Sequence, residues 1–219
     1  MSIFKPPQKN LLSVEVMNRI IDAIAVGELN PGDHITEQYI AAKMEISRAP
    51  IREAIRELAS QGIIRLLPRK GAYIAPLFPQ DIKEAYILRS CLEGLAAELA
   101  TKRLTREDLM ALESFTKKME QAAIDDNSAV YVENDLKFHD LIAERSGHYR
   151  LIKMIEGVRV QTRLLMSMSK CHSISQTDES SHQLIIEALN ARNAELAEQR
   201  MRQHIRVMGN RLLNHLEAN

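Results

Sequence analysis

The sequence predicts a mostly α-helical protein in two parts: a winged helix-turn-helix over residues 1–75 and an all-helical bundle over residues 80–219, joined by a linker at 76–79. Three observations predict it. All seven prolines precede residue 80, whereas the rest of the chain holds none and only Gly94, Gly147, Gly157 and Gly209; average usage would place about seven prolines there. That proline-free stretch is rich in Ala, Leu, Glu, Lys, Arg and Met, so nothing in it breaks a helix. Before it, two short helical patterns around a tight turn are followed by two apolar runs that flank a basic tip.

Composition narrows the function classes. With 219 residues, 45% hydrophobic and 26% charged, the chain can bury a core, which excludes wholesale disorder. Lys+Arg and Asp+Glu are 29 each, so no global basic field holds the chain on nucleic acid or membrane, and any anion binding is local. Cys91 and Cys171 form no CxxC pair, which excludes disulfide frameworks and zinc-finger spacing. Lys5-Pro6-Pro7 stands where a signal peptide needs an apolar run, and no stretch approaches the roughly 18–20 apolar residues of a membrane span. A cytoplasmic protein with no membrane partner is expected.

In the first part, Val16, Met17, Ile20, Ile21 and Ile24 share one face of a helix from about Ser13 to Val26, which Gly27 ends. Pro31-Gly32 supplies the central pair of a type II turn. A second helix begins near Thr36, and Met44-Glu45-Ile46 connects it to Ser47, a good N-cap for a third helix running to about Gln61. Pro50 is tolerated in that helix's first turn, where its missing N–H had no partner to lose. Ile63–Leu67 and Ala72–Ala75 read as strands joined across Pro68-Arg69-Lys70-Gly71, a hairpin with a basic tip.

The third helix carries the first chemistry. Ile51, Ala54, Ile55 and Leu58 follow i, i+3, i+4, i+7 and form its core stripe, whereas Arg48, Arg52 and Arg56 are spaced by four on another face. Between Lys43 and Lys70, seven basic side chains stand against Glu45, Glu53 and Glu57, in a chain whose net charge is zero. An arginine ridge of this kind suits a major groove, where each Arg fork on guanine O6 and N7 gives about 1–3 kcal/mol of discrimination. An arginine row alone is more often a solvated face paired with neighbours such as Glu53 and Glu57; the turn and hairpin beside it favour double-stranded DNA.

The second part divides into helices at about 80–102, 105–125, 128–146, 149–170, 176–191 and 193–217. Thr105 with Asp108, and Asn193, mark the starts of the second and sixth. Tyr131, Asp135, Phe138, His139 and Ile142 share a stripe; so do His182, Ile185, Ile186 and Leu189, and again Met201, His204, Ile205, Met208 and Leu212. Three helices therefore send an acid and three imidazoles towards one core, where unpaired they are expensive. Any one of these histidines alone is more commonly a core residue bonded to a carbonyl. As a set, Asp135, His139, His182 and His204 match a divalent metal site for Zn, Ni or Mn with an open position. His34, His148, His172 and His215 fall in turns, a loop or near the C-terminus and fit less well. Arg89 lies on the stripe of Ile82, Ala85, Tyr86, Glu93 and Ala96. It either closes a salt bridge to Glu93 or, counted with the metal and Asp135, raises the site to +2 and attracts a carboxylate effector.

The string SRAPIREAIRELASQGIIRLLPRKGAYI, with Pro31-Gly32, Ile35 and Glu37 before it, resembles the DNA-binding signature of GntR-family transcription regulators over about residues 11–76. The resemblance implies DNA contacts from Ser47, Arg48, Arg52 and Arg56 and, at the wing, from Lys70 and Gly71. Ala49 and Gln38 depart from the residues common there, so the operator does not transfer. DLKFHDLI, ESSHQLIIEAL, MRQHI and ILRSCLEGLAAELA resemble the FCD ligand-binding domain of the FadR-type subfamily over residues 80–217, and His148-Tyr149 replaces the Asn-Pro of many relatives. That likeness implies a metal-holding helical bundle that binds a small organic acid, and a homodimer that leaves a palindromic operator on binding it.

The sequence thus reads as a ligand-responsive transcription regulator, a repressor, and not an enzyme. Two alternatives use the same residues: a regulator answering to metal alone, and a metal-dependent hydrolase, which lacks a placed general base, a nucleophile motif and a phosphate loop.

Overall fold

The computed structural model of the chain describes residues 11–25, 27–76, 78–169 and 181–217. The chain divides into two units at Leu77/Phe78.

In the first unit, α1 (Leu11–Ala25) buries Val16, Ile20, Ile21 and Ile24 against α3, while Met17, expected on the same face, is half-buried. Gly27 ends this region at φ 81°, and the Leu29 N–H returns to the Ala23 carbonyl. The expected extension to Val26 lies outside the described residues. Asp33 N–H bonds the Asn30 carbonyl at 3.0 Å with Gly32 at φ 91°, the geometry of a type II turn.

A strand that the sequence pattern did not reveal follows this turn. β1 (His34–Ile35) pairs antiparallel with β3 (Gly71–Ile74), which also pairs with β2 (Ile64–Leu67), giving the order β1-β3-β2. Two residues are too few to show alternation. His34, expected in a turn, instead stacks on Tyr73 at 4.8 Å between ring centroids.

α2 (Glu37–Met44) starts at Thr36, whose hydroxyl accepts the Tyr39 N–H, and α3 (Arg48–Ser60) starts at Ser47. Ser47 has the extended backbone of an N-cap, but its hydroxyl makes no cap bond, contrary to expectation. Ile51, Ala54 and Leu58 are fully buried and Ile55 nearly so; each larger apolar side chain stabilises the unit by about 1.5–3 kcal/mol. The hairpin turns at Pro68–Lys70 with Arg69 at φ 61°.

The second unit is helical throughout its described residues: α4 (Pro79–Ala100), α5 (Arg106–Ile124), α6 (Ser128–Arg145), α7 (Tyr149–Ser169), α8 (His182–Asn190) and α9 (Ala194–Glu217). Residues 176–180, expected to open the fifth helix, lie outside the described residues; Ser181 caps α8 by accepting the Gln183 N–H. Thr105 and Asp108 close a reciprocal capping box on α5, and Arg145 at the end of α6 clamps Asp108 with two bonds of 2.8 Å. α4 and α9 approach closely because Gly209 faces Tyr86: an added Cβ would sit 2.7 Å from the ring. Arg192 donates to the carbonyls of Thr101 and Leu104, tying the α8–α9 turn to the end of α4. These ties fix α4, α6, α8 and α9 around one core, and the polar cluster lies inside it.

Candidate nucleic-acid interface and metal centre

On the first unit, Arg48, Arg52 and Arg56 are all exposed, as are Ser47, Lys70 and Gly71. The three arginines line one side of a groove of about 700 Å³ whose other walls include Gln38, Leu66 and Arg69. Helical spacing alone puts the guanidinium groups on one face, because the opposite face is committed to Ile51, Ala54, Ile55 and Leu58. Gly71 at φ 102° passes close over His34, where an added Cβ would lie 2.5 Å from the imidazole Nε2.

One member of the ridge is paired across helices. Arg52 pairs with Glu37 of α2 through two parallel bonds, Nε to Oε1 and Nη2 to Oε2, each 2.8 Å. Glu57 accepts instead from the Gln61 amide. The Arg52 bonds hold the Glu37 carboxyl below its usual pKa. Sequence reasoning missed Glu37 as a partner because the two residues sit on different helices; the only local signal was its place in the DNA-binding string.

In the second unit, Asp135 and His139 come from α6, His182 from the first turn of α8 and His204 from α9. One ligand atom from each lies within 4.8 Å of all the others. Asp135, His139 and His204 are 2% exposed and His182 9%. Asp135 Oδ1 stands 3.2 Å from His182 Nε2 and 3.7 Å from His139 Nε2. Three atoms at this point, Asp135 Oδ2, His139 Nε2 and His182 Nε2, are buried without a hydrogen-bond partner. Buried polar atoms are otherwise almost always satisfied, so a donor set of one carboxylate and three imidazoles with orphaned atoms fits a divalent cation.

Two α4 residues complete the cluster. Arg89 is buried, as its stripe predicts, and its Nε donates to Glu93 Oε1 at 2.6 Å while Nη2 stands 3.9 Å from Asp135 Oδ2. Glu93 Oε2 lies 2.5 Å from His139 Nδ1, at ion-pair distance. The carboxylate beside Nδ1 turns Nε2 towards the cluster. Of the two expected roles of Arg89, the salt bridge to Glu93 is the one formed. Arg89 and Glu93 cancel, so a 2+ ion with Asp135 leaves +1 rather than +2. Glu93 was legible on the Arg89 stripe, but its contact with α6 was not.

Burial disfavours every charge here, and pairing decides the outcome. Burial pulls the His139 pKa down, yet the carboxylates of Glu93 and Asp135 outweigh it and the net shift is upward. For His182 burial wins over Asp135 and the pKa falls. Burial would raise Asp135, but His139 and His182 hold it well below the ordinary carboxylate range. Tyr86, stacked on Arg89, is pushed up to about 12 by burial. His148 accepts the Leu151 N–H at the start of α7, and the His172 and His215 side chains lie outside those described.

A winged helix with an exposed arginine ridge, carried on the same chain as a helical unit with a buried acid-imidazole cluster, defines a class of protein: a DNA-binding regulator with an appended sensory domain. The description "Bacterial regulatory proteins, gntR family" matches residues 12–74, and "FCD domain" matches residues 84–207. The chain belongs to the GntR family of bacterial transcription regulators, in the branch carrying an FCD domain. Among relatives, it is 27% identical over 197 residues to the "Probable D-xylose utilization operon transcriptional repressor" of Paenarthrobacter nicotinovorans, covering 90% of this chain and 87% of the relative. It is 28% identical over 218 residues to the HTH-type transcriptional regulator LutR of Bacillus subtilis (strain 168), covering 88% and 97%. The solved structure of E. coli McbR/YncC superposes with a TM-score of 0.79 at 23% identity, over 95% of this chain and 99% of that one. The protein is accordingly a DNA-binding transcription regulator and not an enzyme. No described helix is long and apolar enough to cross a membrane.

Proposed function

We propose that the protein is a homodimeric repressor, acting in the cytoplasm, whose helical unit holds a divalent metal and answers to a small organic acid. The observation that carries this reading is the convergence of four ligand atoms within 4.8 Å, with buried atoms of Asp135, His139 and His182 there having no hydrogen-bond partner. Asp135, His139, His182 and His204 would hold the metal. A bound Zn, Ni or Mn ion supplies a Lewis-acidic positive charge that attracts a carboxylate oxygen. The chain's own residues do the rest. Glu93 orients His139, and Arg89, already fixed by Glu93, sets a guanidinium beside Asp135 where an acid's second oxygen can be received.

On the DNA side, Arg48, Arg52 and Arg56 would read base edges, with Ser47, Lys70 and Gly71 near phosphates. Two copies would place two recognition helices about 34–36 Å apart on a palindromic operator. The acid need shift DNA affinity by only about 1–3 kcal/mol to act as a switch. A repressor-named relative at 27% identity supports the direction of control.

The test is binding of the full chain to a duplex selected from a randomised library, before and after adding metal and then a panel of carboxylic acids. Arg48→Ala and Arg52→Ala should each weaken selection roughly tenfold or more while the fold persists. If binding answers to metal and to no acid, the pure metal-sensor reading stands in place of this one.

A further inference from the structure

Within the ridge, Arg52 forms a bidentate pair with a carboxylate, and the geometry of that pair restricts what it can read. Glu37 occupies the side edge of the guanidinium, taking Nε–H and one Nη2–H. An arginine carries five N–H donors in a rigid plane. The end edge, both Nη1 hydrogens and the second Nη2 hydrogen, is left available for other acceptors. That end edge is the fork that matches guanine O6 and N7.

Glu37 is well placed to hold this orientation. It sits in the first turn of α2, directly after the Thr36 cap, where the helix dipole favours a carboxylate. Its side chain is 30% exposed, whereas Arg52 is 54% exposed and reaches into the groove shared with Gln38, Arg48, Arg56 and Arg69. A lone surface arginine would spend side-chain entropy to take one direction on binding, and Glu37 imposes that direction beforehand. The same carboxylate places a negative charge beside a phosphate-seeking surface, which weakens binding to every duplex and leaves a guanine under Arg52 as the compensating contact.

We infer that Glu37 is a specificity-determining positioning residue: by gripping the side edge of Arg52 it aims the end fork at a single guanine and penalises sequences that lack it. This rests on the reading of α3 as the recognition helix. Glu37 touches no base itself and acts through Arg52.

The experiment uses the full chain, Glu37→Gln, Arg52→Ala and the double variant. Each is measured against the duplex selected by the wild type, against all its single-base variants, and against unrelated duplex DNA. Glu37→Gln keeps the shape but removes the charge and one of the two acceptors. The expected result has three parts: preference for one G·C pair falls roughly tenfold, unrelated DNA binds several-fold more tightly, and Glu37→Gln changes discrimination no further once Arg52 is Ala. Equal weakening on every duplex together with a lower melting temperature would assign Glu37 to holding α2 on α3 and overturn the inference. Unchanged discrimination would overturn it too while leaving the recognition helix intact. If the wild type selects no duplex at all, the underlying reading fails and the inference with it.

Discussion

Metal loading of the helical unit has a magnitude that can be worked out from its buried atoms. Asp135 Oδ2, His139 Nε2 and His182 Nε2 are each buried without a partner. Each such atom costs about 1–3 kcal/mol, so a ligand that satisfies all three relieves roughly 3–9 kcal/mol. A metal at a thousandfold excess over its dissociation constant stabilises by about 4 kcal/mol through mass action, well within that reserve. For a unit of this size, at about 2–4 °C per kcal/mol, the melting temperature should rise by about 8–16 °C. The assay is differential scanning calorimetry of chelator-treated protein titrated with Zn²⁺, Ni²⁺ or Mn²⁺. Asp135→Asn and the His182→Ala/His204→Ala double variant should lose the shift. A melting temperature that none of the three ions moves, or a shift that survives in both variants, would refute the assignment of these side chains as ligands.

Three further outcomes follow from the packing. Arg89→Gln strips Glu93 of its buried arginine and should cost about 3–5 kcal/mol in urea denaturation, whereas Arg89→Met with Glu93→Leu should recover most of it, because the two charges of the pair then leave the core together. Asp108→Asn weakens two Arg145 bonds and the capping box, for about 1–2 kcal/mol given that Arg145 is 41% exposed. The bond from Arg145 lowers the Asp108 pKa from 3.8 to about 2. A folded-state value below the unfolded one means that this contribution is complete above about pH 4 and is lost as pH falls towards about 2, so the gap between wild type and variant should close over that window. Gly209→Ala drives a Cβ to 2.7 Å from the Tyr86 ring and should destabilise by about 1–3 kcal/mol, while Gly157→Ala, exposed on α7 with nothing within 4 Å, should stabilise by about 0.5–1 kcal/mol; thermal melts give the two signs.

The sequence by itself determined which of the key side chains share a helix face. Helical spacing of 3.6 put Arg48, Arg52 and Arg56 on one face of α3 and Asp135 beside His139 on a buried stripe of α6, because residues three and four apart are adjacent whatever the rest of the molecule does. Proline and glycine positions likewise marked the turn at Gly32 and the wing. Only the tertiary structure decided which faces meet. β1 exists because β3 is there to pair with it, not because His34-Ile35 carries a strand signal. Arg52 takes Glu37 rather than Glu53 or Glu57 because α2 packs on α3 at that height. Glu93, which helical spacing already placed beside Arg89, also meets His139 because α4 lies against α6. Each of these contacts between elements depends on how the two are placed, which no local spacing encodes, and the contacts of Glu37 and Glu93 set the charge around side chains the sequence had already named.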